Sequence, residues 1–155
     1  MPEITTLLLA PMTPAAAISA FSYLRAIQAV EFEAAAEFAG AEPRMAELLV
    51  DVLERIVVPV TSLAGPLGDE PCDAAFALEA VGRVLVQSLR VWEQAGPGAA
   101  EGIAHAVIEF VFHVLTEDHE DVADVLRQLE AVGVGQALDA HPAPAGAHPV
   151  RLSIM

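Results

Sequence analysis

The stretch from Ala99 to Thr116, AAEGIAHAVIEFVFHVLT, constrains the fold of this chain more than any other. It is apolar on almost every side of a helical projection, which is typical of a helix packed in the middle of a bundle rather than on its outside. His105, Glu109 and His113 recur in it at four-residue spacing and therefore lie on one face of that helix. The stretch predicts a central helix, and its polar stripe is the feature of the chain that most suggests chemistry.

Length and cysteine content limit the kind of protein this can be. The chain has 155 residues, the size of one domain that buries a core without disulfides or a structural metal. Cys72 is the only cysteine, so no intrachain disulfide can form and a reducing compartment, the cytoplasm, is expected. The first residues, MPEITTLLLAP, include Glu3 and no basic residue, unlike a secretory signal. No apolar run approaches the roughly 20 residues that cross a bilayer, so no membrane span is expected.

The charge of the chain excludes several classes of partner. Its net charge is -15, with 7 basic and 22 acidic residues, whereas binding to nucleic acid needs clustered Lys and Arg. The same sign disfavours anionic membrane surfaces. Because 55% of the residues are hydrophobic, the chain has more apolar surface than an acidic disordered protein would carry. A folded, acidic, soluble helical domain satisfies both observations.

Prolines and glycines divide the chain into helical lengths. Thr13 and Pro14 are typical of an N-cap and a first helical residue, and no breaker follows them before Gly40. A second helix begins near Pro43, and Pro59 either kinks or ends it because its ring clashes with the carbonyl four residues earlier. A third helix follows Pro71, and a tight connection at residues 96–98 leads into the apolar helix. Whether that helix breaks at Thr116 or continues is left open by the sequence.

The expected fold class is therefore all-α, an antiparallel bundle of four or five helices. The bundle is expected to occupy residues 14–135 as a single domain, after a lead-in segment at 1–13. Residues 136–155 are expected to be an extended or partly disordered tail. Residues 4–9 and 149–155 resemble short strands, which could pair with each other if they pack on the bundle.

The polar residues of the first two helices have different expected surroundings. At about 100° per residue, Glu31 falls among the apolar residues of the first helix, so it needs a partner or a place at the rim. On the second helix, Arg44, Glu47, Asp51 and Glu54 form a stripe opposite the apolar residues. We expect that acidic stripe to face solvent.

The predicted third helix has an ordinary amphipathic pattern. Glu79 and Arg83 form an i,i+4 pair, and Arg90 continues the same side, which we expect to be solvated. Gly82 costs roughly 1 kcal/mol against Ala within a helix, which indicates close helix packing there or mere tolerance. The candidates for its buried face are Phe76, Val84, Leu85, Leu89 and Trp92.

The polar stripe of the apolar helix has two interpretations. In the first it is a narrow solvent face, on which Glu109 pairs locally with His105 and His113. In the second it is a metal or acid/base site inside the bundle, joined by Glu31, since carboxylate and imidazole sets in four-helix bundles hold iron, manganese or zinc. His105 and His113 are about 12 Å apart along the axis, so a site needs either one ion on a single His/Glu pair or two ions with Glu109 between them.

Other patterns of catalytic residues are absent from the sequence. The stripe is not the Glu-x-x-His pattern that ferritin-like di-iron proteins repeat on two helices. The sequence contains no G-x-S-x-G elbow, glycine-rich phosphate loop, EF-hand loop or HExxH motif. It therefore leaves open whether the chain is an enzyme.

Two function classes remain for the chain. One is a binding or accessory module for a small apolar ligand or a protein partner. The other is a small metal-dependent or acid/base enzyme that uses the His/Glu site inside the bundle. A homo-oligomer, in the simplest case a dimer, is expected because so apolar a chain must place its large side chains somewhere.

Overall fold

The computed structural model describes residues 12–63 and 73–141. In these residues the chain forms six helices that pack together, and no strand. The helices are α1 (Pro14–Gln28), α2 (Phe32–Ala41), α3, α4 (Asp73–Glu93), α5 (Ala100–Leu115) and α6 (Val122–Ala140), where α3 consists of the consecutive segments Met45–Val52, Leu53–Val57 and Val58–Leu63. The all-α prediction is confirmed, with one helix more than the upper number expected.

The additional helix arises because the predicted first helix breaks after Gln28. Val30 adopts a positive φ of 62°, its N–H donates to the Ile27 carbonyl (3.1 Å), and the Glu31 N–H donates to the Ala26 carbonyl (2.8 Å). These are the two bonds of a Schellman motif, which usually has glycine at the left-handed position. A β-branched residue in that conformation is strained because its Cβ crowds the carbonyl. The prediction of one continuous helix is therefore wrong. The break was not predicted because no glycine or proline marks it.

α3 is the central helix of the bundle, and it contacts α1, α4, α5 and α6. Pro59 lies within it without ending it. The turn before the proline, Leu53–Val57, is π-helical, and the Val58 N–H donates to the Leu53 carbonyl. This wider turn accommodates the proline, which lacks an N–H and would crowd a regular helix. α5 also contacts α1, α3, α4 and α6, as expected of a helix packed among others, but it buries fewer residues than α3 and leaves the side with the polar stripe exposed. The apolar residues that α3 buries are Met45, Ala46, Leu48, Leu49, Val50, Val52, Leu53, Ile56, Val57 and Val58.

Two glycines allow neighbouring helices to approach α3 closely. A Cβ at Gly82 of α4 would lie 2.7 Å from Val58 Cγ2, and one at Gly133 of α6 would lie 2.5 Å from Ile56 Cδ1. Both distances are shorter than packed carbon atoms adopt. Close helix packing at Gly82, one of the two alternatives left by the sequence, is therefore what the structure contains.

The C-terminal part of the described chain settles where α5 ends. Thr116 leaves the helix in an extended conformation (φ -131°, ψ 162°), and its hydroxyl donates to the Phe112 carbonyl (2.7 Å). α6 is consequently a separate helix, and it continues to Ala140, so residues 136–140 of the predicted tail are helical. The predicted strands at 4–9 and 149–155 lie outside the described residues, as does Cys72. Within the described ranges, no helix combines the length and apolar character needed to span a membrane.

Candidate functional site

The stripe of α5 lies on the exposed side of that helix. The side chains of His105, Glu109 and His113 are 56%, 61% and 67% exposed. Glu109 Oε1 lies 3.3 Å from His113 Nε2, whereas His105 Nε2 lies 3.9 Å from Oε2 of Glu101, one turn earlier. The stripe therefore consists of two separate Glu–His pairs. The predicted pairing of Glu109 with His113 is present, and its pairing with His105 is not.

Glu31 does not join this stripe. It is exposed at the start of α2, where its side chain makes no capping hydrogen bond. His105 and Glu109 line a shallow cleft of about 210 Å³ beside the end of α1. Glu31 lines a different cleft, of about 480 Å³, together with Arg25 and Arg127. The expectation that Glu31 reaches the rim is met, because the break after α1 turns this position away from the apolar side of the first helix.

The predicted site residues are not arranged as a metal centre. Among the side chains that the structure describes, no group of three His, Cys, Asp or Glu is close enough to share an ion. The closest pair of the stripe, His113 and Glu109, would supply two ligands, whereas metal sites in bundles draw ligands from several facing helices. The water-excluded pocket that an enzyme would need at Glu31, His105, Glu109 and His113 is not formed. An iron, manganese or zinc ion on this face stays a prediction for measurement in solution.

A charged cluster that the sequence did not indicate joins α4 to α3. Arg90, expected on a solvated side, has a side chain that is 31% exposed. Its Nη2 donates to Asp51 Oδ1 (2.7 Å) and Glu54 Oε1 (2.5 Å), and its Nη1 donates to Glu93 Oε1 (3.0 Å). The acidic stripe of α3, expected to face solvent, is therefore in part an interhelical contact.

This charged cluster holds the structure together and does not transfer protons. Burial alone would lower the pKa of the Arg90 guanidinium, but hydrogen bonds to Glu54 and Asp51 and the charge of Asp51 raise it above its usual value. A guanidinium that stays charged neither gives nor takes a proton. Charge-assisted hydrogen bonds to two segments of α3 instead fix the rotation of α4 on the bundle.

With that rotation fixed, an apolar side of α4 points away from the bundle. Val81, Val84, Val91 and Trp92 are 57%, 64%, 68% and 58% exposed. Small uncharged residues on the same side are exposed as well. We call this surface the α4 face, and it consists of Ala77, Ala80, Val81, Val84, Ser88, Val91 and Trp92. No described residue covers it, so it is a candidate for a binding surface.

The α4 face corrects part of the predicted core. Val84 and Trp92, together with Phe76, were expected to be buried and are each more than half exposed. Leu89 is buried as expected, and Val86 is buried beside it. The prediction failed because apolar residues occur on two sides of α4, and hydrophobicity alone does not choose between them. The close contact at Gly82 and the ion pairs of Arg90 determine which side of α4 is buried.

A second candidate surface is a cleft of about 660 Å³ where α3, α4 and α6 meet. Buried side chains of Ile56, Val58 and Val86 form its floor. Its rim includes Glu79 and Arg83, which form an ion pair at 2.6 Å. This volume is within the range of small-molecule sites, and the floor is suited to an apolar group.

Comparison with known proteins gives no family assignment. No protein-family model, no curated protein and no solved structure matches the chain. Any functional conclusion therefore depends on the fold and on the exposed surfaces of this chain.

Proposed function

We propose that this protein is a binding or accessory module, and that a partner protein docks on the α4 face. The observation that carries this proposal is the exposure of Val81, Val84, Val91 and Trp92 on one side of one helix. Exposed apolar patches of this kind on soluble domains mark interaction sites more often than single exposed residues do. Trp is also among the residues most enriched at the energetic centres of protein interfaces.

The composition of the α4 face limits the partner. The face has no acidic or basic residue, although the chain as a whole carries -15. A partner that binds it must therefore contribute an apolar and uncharged contact surface, since a charge facing Val84 or Val91 would lose its hydration without gaining a counter-charge. The shape of a single exposed helix suits an amphipathic helix packed alongside it.

A photocrosslinking experiment in the cells that naturally make the protein tests this proposal. Ser88, exposed in the middle of the face, is replaced by p-benzoylphenylalanine in the full chain, and the control has the same group in place of Val132, exposed on α6. We expect a discrete adduct from position 88 that is absent from position 132. The Val91→Asp substitution should abolish it. No adduct from position 88, or an adduct that persists in the Val91→Asp variant, would refute docking at the face.

The cleft between α3, α4 and α6 supports a second candidate function, the binding of a small apolar ligand. Its buried floor of Ile56, Val58 and Val86 is the observation in its favour. Nile red is a suitable neutral probe because it fluoresces when it enters an apolar site. If the cleft binds it, Gln136→Trp at the cleft rim should reduce the fluorescence and Val84→Asp should not. The opposite pattern would assign the dye to the α4 face and leave the cleft without support.

A further inference from the structure

We propose that the partner on the α4 face is a second copy of this chain, packed with its α4 antiparallel to the first. This inference rests on the proposed docking function and names its occupant. Three observations support it: the spacing of the exposed apolar residues, the absence of charge between them, and the residues on either side of them, which suit a contact with the same residues of a second copy.

The spacing of the exposed residues is that of a helix that packs against another helix. Ala77, Val81, Val84, Ser88 and Val91 follow one another at intervals of four, three, four and three residues. We call these five residues the seam. Intervals that average 3.5 residues are those of the a and d positions of a coiled coil, where each side chain inserts between residues of the facing helix. Ala95 continues the same spacing just beyond the end of α4.

The seam is directed away from its own bundle. At about 100° per residue, its centre lies opposite Val86, which is buried. Gly82 and Leu89 lie on the buried side as well. The seam therefore offers a second helix a contact on the side of α4 away from its own bundle, along a helix of 21 residues.

Charge favours a second copy over an oppositely charged partner. Two copies that each carry -15 repel one another, and a contact surface without carboxylates adds no further repulsion between them. The seam and the positions flanking it are such a surface. A partner selected by its positive charge would instead require acidic residues around the contact, and the flanking positions contain none. They are Leu78, Ala80, Leu85, Gln87, Trp92 and Gln94.

These flanking residues also select the antiparallel arrangement. Leu78, Leu85 and Trp92 lie on one flank of the seam, and Ala80, Gln87 and Gln94 lie on the other. Two such helices can pair antiparallel with a two-fold axis at the level of Val86 along the helix. Each flank then meets the same flank of the second copy. Leu78 of each copy then lies near Trp92 of the other, and Leu85 lies near Leu85. On the second flank, Gln87 lies near Gln87 and Gln94 lies near Ala80.

The same register gives matched layers along the seam. Val81 of one copy faces Val91 of the other, and Val84 faces Ser88. A parallel pair would instead place each apolar flank against the glutamine flank. A single pair of 21-residue helices makes a small interface, so we expect a dissociation constant on the order of micromolar.

Sedimentation equilibrium of the full chain across the micromolar range tests the second copy directly. We expect a reversible monomer–dimer equilibrium that Val84→Asp weakens by about 100-fold or more, because it places a carboxylate between two apolar helices. Val132→Asp on α6 is the matched control and should leave the equilibrium unchanged. Added salt should tighten association, since it screens repulsion between the two acidic copies and leaves the uncharged seam unaffected.

Engineered disulfides test the orientation in a Cys72→Ser background. In the antiparallel pair, the double variant Val81→Cys/Val91→Cys should oxidise to a covalent dimer, whereas Val81→Cys alone should not. A covalent dimer from Val81→Cys alone would establish the parallel arrangement and overturn the antiparallel one. Circular dichroism of each variant verifies that the helices are retained.

The two proposals can fail separately. The proposal of a second copy is wrong if the chain stays monomeric at the highest concentration. It is also wrong if Val84→Asp does not weaken the dimer. If position 88 then still yields a photoadduct that Val91→Asp abolishes, at a mass other than twice the monomer, the α4 face docks a different protein. If neither a dimer nor an adduct is found, both proposals are wrong.

Discussion

Helices α4 and α5 contrast in where they place polar and apolar residues. α5 is the more apolar of the two in sequence, and it turns its titratable residues, including His105 and His113, to solvent. α4 has the ordinary amphipathic pattern, and it turns Val84, Val91 and Trp92 to solvent. On α4 it is a charged residue, Arg90, that holds the helix to the bundle.

The contrast shows that a conspicuous polar stripe in the sequence does not by itself predict a pocket in the structure. The stripe of α5 is what remains exposed when a mostly apolar helix buries one face. The α4 face, by comparison, exposes side chains that would be more stable away from water. The exposed apolar area on which the proposed docking depends is therefore on α4.

Of the substitutions that test this contrast, removal of the Arg90 side chain should lower the free energy of unfolding the most. Arg90→Ala removes the guanidinium that Asp51, Glu54 and Glu93 share. We expect a loss of about 2 to 3 kcal/mol in the free energy of unfolding, less than for a fully buried pair because the guanidinium is partly exposed. Urea denaturation followed by circular dichroism measures it.

Arg83→Ala is the matched control for that experiment, since it removes an i,i+4 pair from the same helix. The Arg83 side chain is 71% exposed, so the variant should lie within about 0.5 kcal/mol of the parent. Equal effects of the two substitutions would contradict the assignment of Arg90 as the contact that orients α4.

Glycine substitutions should distinguish the buried side of α4 from the exposed side of α5. Gly82→Ala brings a Cβ to 2.7 Å from Val58 Cγ2, and the β-branched Val58 cannot turn aside within a helix. The cost of overpacking should exceed the gain in helix propensity and give a net loss of about 1 kcal/mol. Gly102→Ala on α5 meets Trp92 Cζ3 at an ordinary 3.6 Å and should instead stabilise by up to about 1 kcal/mol. Thermal unfolding of both variants checks the opposite signs.

The sequence predicts the fold class well because hydrophobic periodicity and the Pro/Gly breakers reflect local chemistry. It does not predict the break at Val30, because that turn uses a left-handed valine where glycine is the usual signal. Nor does it predict the path of α3 through Pro59, which depends on a π-helical turn. Both features run against the local preferences of the residues that form them.

The candidate site was less predictable for a different reason. The seam spacing from Ala77 to Val91 is visible in the sequence, but the same helix also has apolar residues at Val86 and Leu89. Which of the two sets is buried depends on Gly82 and Arg90, whose contacts lie on another helix. The rotation of α4 is therefore a long-range property, and a pattern within one helix does not determine it.

The stripe of α5 should contribute little to stability. The double variant His105→Ala/His113→Ala removes two exposed Glu–His pairs, so we expect a change within about 0.5 kcal/mol in the free energy of unfolding. Elemental analysis of the untagged protein, purified without chelator, tests the metal prediction beside His105→Ala and Glu109→Ala. Near-stoichiometric iron, manganese or zinc that both substitutions abolish would move the functional assignment from α4 to α5.

The smallest predicted effect concerns Tyr23, the one tyrosine of the chain, which lies buried in α1. Burial raises the pKa of its phenol above 10.0, and the charge of Glu101 on α5 raises it further. Glu101→Gln should therefore lower the pKa of Tyr23 while leaving it above its ordinary value. Ultraviolet absorbance of the phenolate measures this shift, and Glu109→Gln should not produce it.

The sign for stability follows from the same shift. A phenol whose pKa is higher in the folded state stabilises the protein fully below about pH 10, and that contribution is lost as the pH rises through the folded-state pKa. Because Glu101→Gln brings the two pKa values closer, the alkaline loss of stability should be smaller in the variant than in the parent. An equal or larger loss would contradict the assignment of Glu101 as the charge that raises the pKa of Tyr23.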